Sequence, residues 1–227
     1  MSEFRSIYEQ QLGKEAFASL HPMIQRRFGF DSTSGVSAIG RGTMQRVWHG
    51  RWYTLPFLWI GTWRSIMFPE QGSEVPFTIE NYAYKDSLGR ETVTWLRTFA
   101  VGRRRRFDAY MIHSPERNLI VDYLGTHQHL VVDIDISVAP NGGLALRSGE
   151  QRFYEGPVSF RFPMLFSGRA EVCEWYDDEA QCFRIEVIVK NRWWGRLFGY
   201  TGNFQVEWKQ TQQAPAEVLP KRTESRE

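Results

Sequence analysis

The chain has 227 residues, enough for one large domain that buries roughly 70% of its unfolded surface. A formal charge of +2 excludes a strongly basic nucleic-acid binder, and two cysteines are too few for a disulfide framework. Nine Trp, nine Tyr and 16 Phe make 15% of the chain aromatic, which favours sheets and broad apolar interiors over helical bundles.

The opening MSEFRSIYEQQLG lacks the apolar stretch of a secretory signal, and no apolar run is long enough to span a bilayer, so the chain reads as cytoplasmic. Ile7, Leu12, Phe17, Leu20, Ile24 and Phe28 recur at helical spacing, with Pro22 dividing the segment in two. Residues 31–42, rich in Ser and Gly, predict a loop, and 43–48 alternate as a first strand. Between residues 52 and 68, Trp52, Leu55, Trp59, Ile60, Trp63 and Met67 share one helical face. Phe57, Leu58, Ile66 and Phe68 widen it to most of the circumference, which predicts a helix that is buried or sits against lipid, with Pro56 in its first turn and Pro69 at its exit.

Beyond residue 75 the apolar period becomes two. Strands are expected at 77–84, 92–101, 106–113, 118–123, 127–138, 144–154, 158–162 and 200–209, separated by turn residues such as Ser114-Pro115 and Asn141-Gly142. The short connections favour antiparallel pairing. Residues 169–189 fold on paper into a hairpin turning at Asp177-Asp178. There Arg169 faces Glu186, Glu171 faces Arg184, Cys173 faces Cys182, and Ala170, Val172, Phe183, Ile185, Val187 and Val189 point inward. In a reducing compartment the two cysteines stay thiols. Residues 210–227 are polar and Pro-containing, and read as a disordered tail behind a single domain of residues 1–209. The expected class is α+β: a strongly curved antiparallel sheet bending towards a barrel, with the N-terminal helices packed against it.

NYAYKDSLGRETVTWLRTF at 81–99 and WWGRLFGYTGNF at 193–204 are specific in combination. With Tyr8, Leu12-Gly13, Leu20-His21-Pro22 and Arg26-Arg27-Phe28, they make the chain, over 8–208, resemble a bacterial domain family of unknown function. Members of that family also occur fused behind saccharopine-dehydrogenase-like oxidoreductase domains. The resemblance implies a module whose relatives work beside a redox domain, and it carries over no catalytic residues.

Several groups are candidates for chemistry. Arg97 shares a strand face with Val93, Trp95 and Phe99, so an interior position demands a carboxylate such as Glu80 or Glu91, or a bound anion. His127 and His129 fall on one face of an expected strand with Asp133, weak candidates for a metal, against a plain solvated face as the alternative. Arg103 to Arg106 read as a solvated hairpin tip. Trp193, Trp194 and Arg196 combine aromatic and basic groups in a way that suits a membrane interface or an ordinary packed loop. No nucleophile elbow, phosphate-binding glycine loop or zinc spacing is present.

The leading expectation is a non-enzymatic module that binds a hydrophobic or lipid-like molecule, lined by Trp59, Trp63, Trp95, Arg97 and Phe99. The alternative is an enzyme or accessory subunit working with an oxidoreductase, metal-dependent through His127 and His129.

Overall fold

A computed structural model describes residues 6–55, 58–59, 62, 67–162 and 167–227. Three short helices lead the chain: α1 (Ile7–Leu12), α2 (Lys14–Ala18) and α3 (Pro22–Phe28). The Ser6 hydroxyl caps α1, and the His21 ring caps α3, which carries Pro22 in its first turn. Gly13 and the Ser19–Pro22 stretch stop the helical pattern from running as one element.

The strands are β1 (Val36–His49), β2 (Gly72–Lys85), β3 (Glu91–Val101), β4 (Arg103–Ser114), β5 (Leu119–Leu124), β6 (Leu130–Val138), β7 (Leu144–Glu155), β8 (Val158–Arg161), β9 (Arg169–Asp177), β10 (Cys182–Asn191) and β11 (Gly195–Gln210). Each pairs antiparallel with its neighbours, and β1 pairs with β11. On its far edge β7 divides, its first residues pairing with β9 and its last with β8. With β6 paired to β7, ten strands close into a barrel and β8 is a short extra ribbon outside the circuit. The sheet is thus fully closed, and the helices are a small addition to an all-antiparallel barrel. Closure satisfies edges that an open sheet of this length would leave unpaired.

Strand alternation sorts the side chains. Inward positions include Phe77 and Ile79 on β2, Trp95 and Phe99 on β3, Phe183 and Ile185 on β10, and Phe198, Tyr200 and Phe204 on β11. The N-terminal helices close one mouth. Tyr8 of α1 packs edge-on against Phe28 of α3, and Phe28 stacks on Trp95 at 5.7 Å between ring centroids. Trp95 Nε1 donates to the Tyr8 hydroxyl at 2.7 Å. At the other mouth Phe68 lies against Phe99 and Phe198. Gly199 lets the Trp48 ring lie over its neighbouring strand, since a Cβ there would sit 2.3 Å from that ring and 2.4 Å from the Val187 carbonyl oxygen.

Of the helix expected across residues 52–68, Leu55, Leu58, Trp59 and Thr62 are helical, and residues 56–57, 60–61 and 63–66 lie outside the described residues. Of that stretch, Trp52–Thr54 form a 3-10 turn, Leu58 is buried and Trp59 is exposed. Arg103 to Arg106 open β4, because the β3–β4 hairpin turns at Gly102 with φ of 69°.

The 169–189 hairpin forms with the expected faces and a different register. Cys173 pairs with Glu186 and Cys182 with Asp177, so the two cysteines do not face each other. Asp177 sets the turn: Oδ1 accepts from the Glu179 and Ala180 backbone N–H groups at 3.0 Å, and Oδ2 takes Arg184 Nε at 2.6 Å. The pairing moves by an even number of residues, which leaves every side chain on its expected face and puts Glu174 and Tyr176 inside.

Residues 211–227, expected to be disordered, lie along the outer wall. Val218 joins an external apolar cluster with Tyr82, Tyr110, Tyr123 and Tyr154. Glu224 is buried between Arg222 and Arg226, and its backbone N–H donates to Gln128 Oε1 at 2.7 Å. Those arginines hold the Glu224 carboxyl down at about 2.

Candidate interior binding site

The barrel interior is apolar except for a small group of ionisable residues. Arg97 projects inward from the middle of β3 and is 4% exposed. Its guanidinium lies 3.7 Å from the centroid of the Phe107 ring, and Nη1 donates to the Tyr200 hydroxyl at 3.3 Å. Nε makes no hydrogen bond, and no carboxylate forms an ion pair with Arg97 among the described residues. The carboxylates expected for it are engaged elsewhere: Glu80 takes the Tyr82 hydroxyl, and Glu91 takes Ser32 and Lys85.

Asp122 enters from β5 on the inward parity of Ile120 and Leu124. Burial raises its carboxyl to about 7, and the Arg97 charge pulls it back only in part. Oδ1 has no hydrogen-bond partner. Glu174 of β9 pairs with Arg27, which descends from α3 with its guanidinium 5.1 Å from the Phe204 ring. Burial raises the Glu174 carboxyl above its ordinary range, with Arg27 and Arg97 opposing. Glu174 Oε2 and both terminal nitrogens of Arg27 are unpartnered.

Of the five expected lining residues, Trp95, Arg97 and Phe99 meet inside the barrel, where Phe99 packs edge-on against Tyr200 at 5.0 Å. Trp59 stands apart, 52% exposed, with the Arg105 guanidinium 6.0 Å from its ring, and Trp63 lies outside the described residues. Sequence reasoning missed Arg27, Asp122, Glu174 and Tyr200. Asp122 and Glu174 carried a usable signal, a carboxylate on the inward parity of an otherwise apolar strand face.

His127 and His129 sit in the turn before β6, not on a strand, because Gln128 takes a positive φ and its N–H closes on the Gly125 carbonyl. Their rings stack at 5.4 Å, and His129 Nδ1 lies 2.9 Å from Glu155. Asp133 points to Arg117 and Arg152 instead. Among the described residues no three His, Cys, Asp or Glu side chains are grouped to hold a metal ion. A groove of about 700 Å³ opens outside the barrel between α3 and the ends of β1 and β11, where Arg26 covers Trp208 at 4.5 Å. It contains none of the buried, unpartnered groups.

The fold and interior define a closed, ten-stranded antiparallel barrel with an aromatic core, a buried cation and a helical plug at one mouth. The chain belongs to the family described as "Domain of unknown function (DUF4166)", whose model matches residues 20–204. It is 34% identical over 203 residues to "Uncharacterized protein YndH" of Bacillus subtilis (strain 168), an alignment covering 89% of this chain and 97% of that protein. No solved structure matches it.

Proposed function

We propose that the barrel binds an amphipathic, lipid-like small molecule, with an acidic head group on Arg97 and an apolar body among Trp95, Phe99 and their aromatic neighbours. The observation that carries this reading is a guanidinium buried in an apolar interior with Nε unpartnered and no carboxylate paired with it among the described residues. An uncompensated buried cation is costly, and a bound carboxylate or phosphate removes that cost through charge-assisted hydrogen bonds. Asp122, neutral below about 7, leaves the Arg97 charge available to such an anion. The groups that meet around Arg97 are suited to holding an anion, and the reading is one of binding. A partnership with an oxidoreductase, implied by the resemblance, would make the barrel a carrier for a redox neighbour's substrate.

The test is native mass spectrometry of the purified chain for a co-purified mass, followed by titration with a fluorescent fatty-acid analogue. Arg97→Met keeps the apolar stem and is expected to weaken binding about ten- to a hundred-fold, the worth of a hydrogen bond to a charged group. Wild-type affinity should also fall as pH rises through about 7, where ionised Asp122 competes for Arg97. No binding by the wild type, or equal binding by Arg97→Met, refutes the proposal.

A further inference from the structure

Four tryptophans stand out of the mouth opposite the helical plug. Trp52 and Trp59 lie on the β1–β2 connection, and Trp193 and Trp194 in the β10–β11 turn, exposed by 77%, 52%, 70% and 45%. Alternating strand direction brings these two connections and the β3–β4 turn to the same end. The patch is built rather than loose. Tyr53 lies 6.2 Å from the Trp52 ring and 5.5 Å from the Trp194 ring, and its hydroxyl donates to the Trp194 carbonyl at 3.0 Å. Asn191 Oδ1 accepts from the backbone N–H groups of Trp193 and Trp194 at 2.7 and 3.1 Å, which fixes the tip of the turn.

The charge around this mouth has one dominant sign. Arg51, Arg104, Arg192 and Arg196 are exposed and form no ion pair among the described residues. Three of them lie beside the aromatic groups: Arg51 at 5.9 Å from the Tyr53 ring, Arg192 at 5.8 Å from Trp193, and Arg196 at 5.8 Å from Trp48. Glu70 is already shared by Arg103 and Arg105. The turns at the plugged end instead expose Glu116, Asp178 and Glu179. The β4–β5 turn also exposes Arg117 and α3 exposes Arg26, so the plugged end is mixed in sign where the other mouth is mainly basic.

We infer that the mouth opposite the helical plug docks on the surface of a lipid bilayer that carries anionic head groups. Tryptophan side chains favour the head-group level, and arginines beside them meet lipid phosphates. A large exposed apolar group ringed by unpaired cations fits that surface better than it fits water or an apolar protein face. This inference does not depend on what the barrel interior binds.

The experiment is co-sedimentation of the full chain with vesicles of phosphatidylcholine alone, or with a third of it replaced by phosphatidylglycerol. Binding is expected on the anionic vesicles and should fade as salt rises. Each arginine near the surface contributes about five-fold in partitioning, so Arg104→Glu combined with Arg192→Glu is expected to weaken binding about 25-fold or more. Trp52→Ala with Trp193→Ala should weaken it too, while Glu116→Lys at the plugged end should not. All these side chains are exposed, so thermal unfolding should be unchanged. Three results overturn the inference: no wild-type binding to anionic vesicles, equal binding to phosphatidylcholine alone, or insensitivity to the arginine reversals. A lipid-free dimer abolished by the tryptophan pair would assign the patch to a second copy of the chain and overturn it as well.

Discussion

Asp122→Asn should stabilise the protein at alkaline pH and flatten its pH dependence. Folding lifts this carboxyl from an ordinary 3.8 to about 7, chiefly by removing it from water. Because the folded value is the higher one, the protonated form is favoured in the native state. Stability from this group is complete below 3.8 and is lost as pH rises through about 7. At about 1.4 kcal/mol per pH unit, ionised Asp122 costs about 4 kcal/mol by about pH 8, of which about 3 kcal/mol develops above about pH 5. The group is fully buried, so solvent screening removes little of this. Asparagine keeps the shape and carries no charge, but its amide N–H groups lose about 1–3 kcal/mol where they find no acceptor. The pH dependence of the difference is therefore the sharper quantity. Urea denaturation of both chains at about pH 5 and about pH 8 should show the variant gaining about 3 kcal/mol relative to wild type between the two. A difference that stays constant across that range, or moves the other way, refutes the placement of Asp122 as a dry carboxyl beside an uncompensated Arg97.

Two further outcomes test the frame around the site. Arg27→Met strands Glu174 in the barrel interior and should cost about 3–5 kcal/mol in urea denaturation, whereas Arg27→Met with Glu174→Leu should recover most of it; a double variant no more stable than the single one would show that the pair does not act as a unit. Cys182 lies four positions along β10 from Glu186, the residue opposite Cys173. At about 3.4 Å per residue that is about 14 Å, roughly twice the span a disulfide bridges. Mild oxidation followed by mass spectrometry should therefore leave both thiols free, and an intramolecular bridge would contradict the register.

Much of the wall was legible in the sequence, because a closed antiparallel barrel repeats one rule on every strand. Residues 92–101 and 144–154 stand almost where the period-2 pattern puts them, and Trp95, Arg97 and Phe99 do share an inward face. The hairpin register was misread because charge pairing and apolar pairing on paper are equally satisfied by shifts of two or four residues. What decides is a turn that Asp177 builds from its own side chain, together with a partner for Glu174 that comes from α3. Arg27 itself looked like one half of a basic pair on a short helix, and only the helix's seat over the mouth turns it inward. The tail was misread for a related reason. Its composition is polar, but the surface that receives it, the outward tyrosines 82, 110, 123 and 154, belongs to four other strands. Those tyrosines alternate with inward residues and were a sign that part of the outer wall is covered.

The interior charges fall into two groups with different work. Replacing a buried ion pair with apolar residues of similar volume commonly leaves a protein as stable or more so, so Arg27 and Glu174 are poorly explained as a source of stability alone. Their geometry offers a specific role, since they join the plug to the wall at one point on β9 and so fix how α3 sits over the mouth. Arg97 and Asp122 join nothing of the kind. They lie on β3 and β5, strands already held by β4 between them, and each keeps an atom without a partner. Arg97 reaches across to β11 through one bond to the Tyr200 hydroxyl, and a charge left otherwise unsatisfied fits a contact made with something other than the chain. The two groups are separable by experiment. Disrupting Arg27 should loosen the plug and cost stability wherever Glu174 would be ionised. Neutralising Asp122 should instead favour the folded state above neutrality and leave Arg97 free to hold an anion there, making ligand affinity insensitive to pH across the range where the wild type loses it.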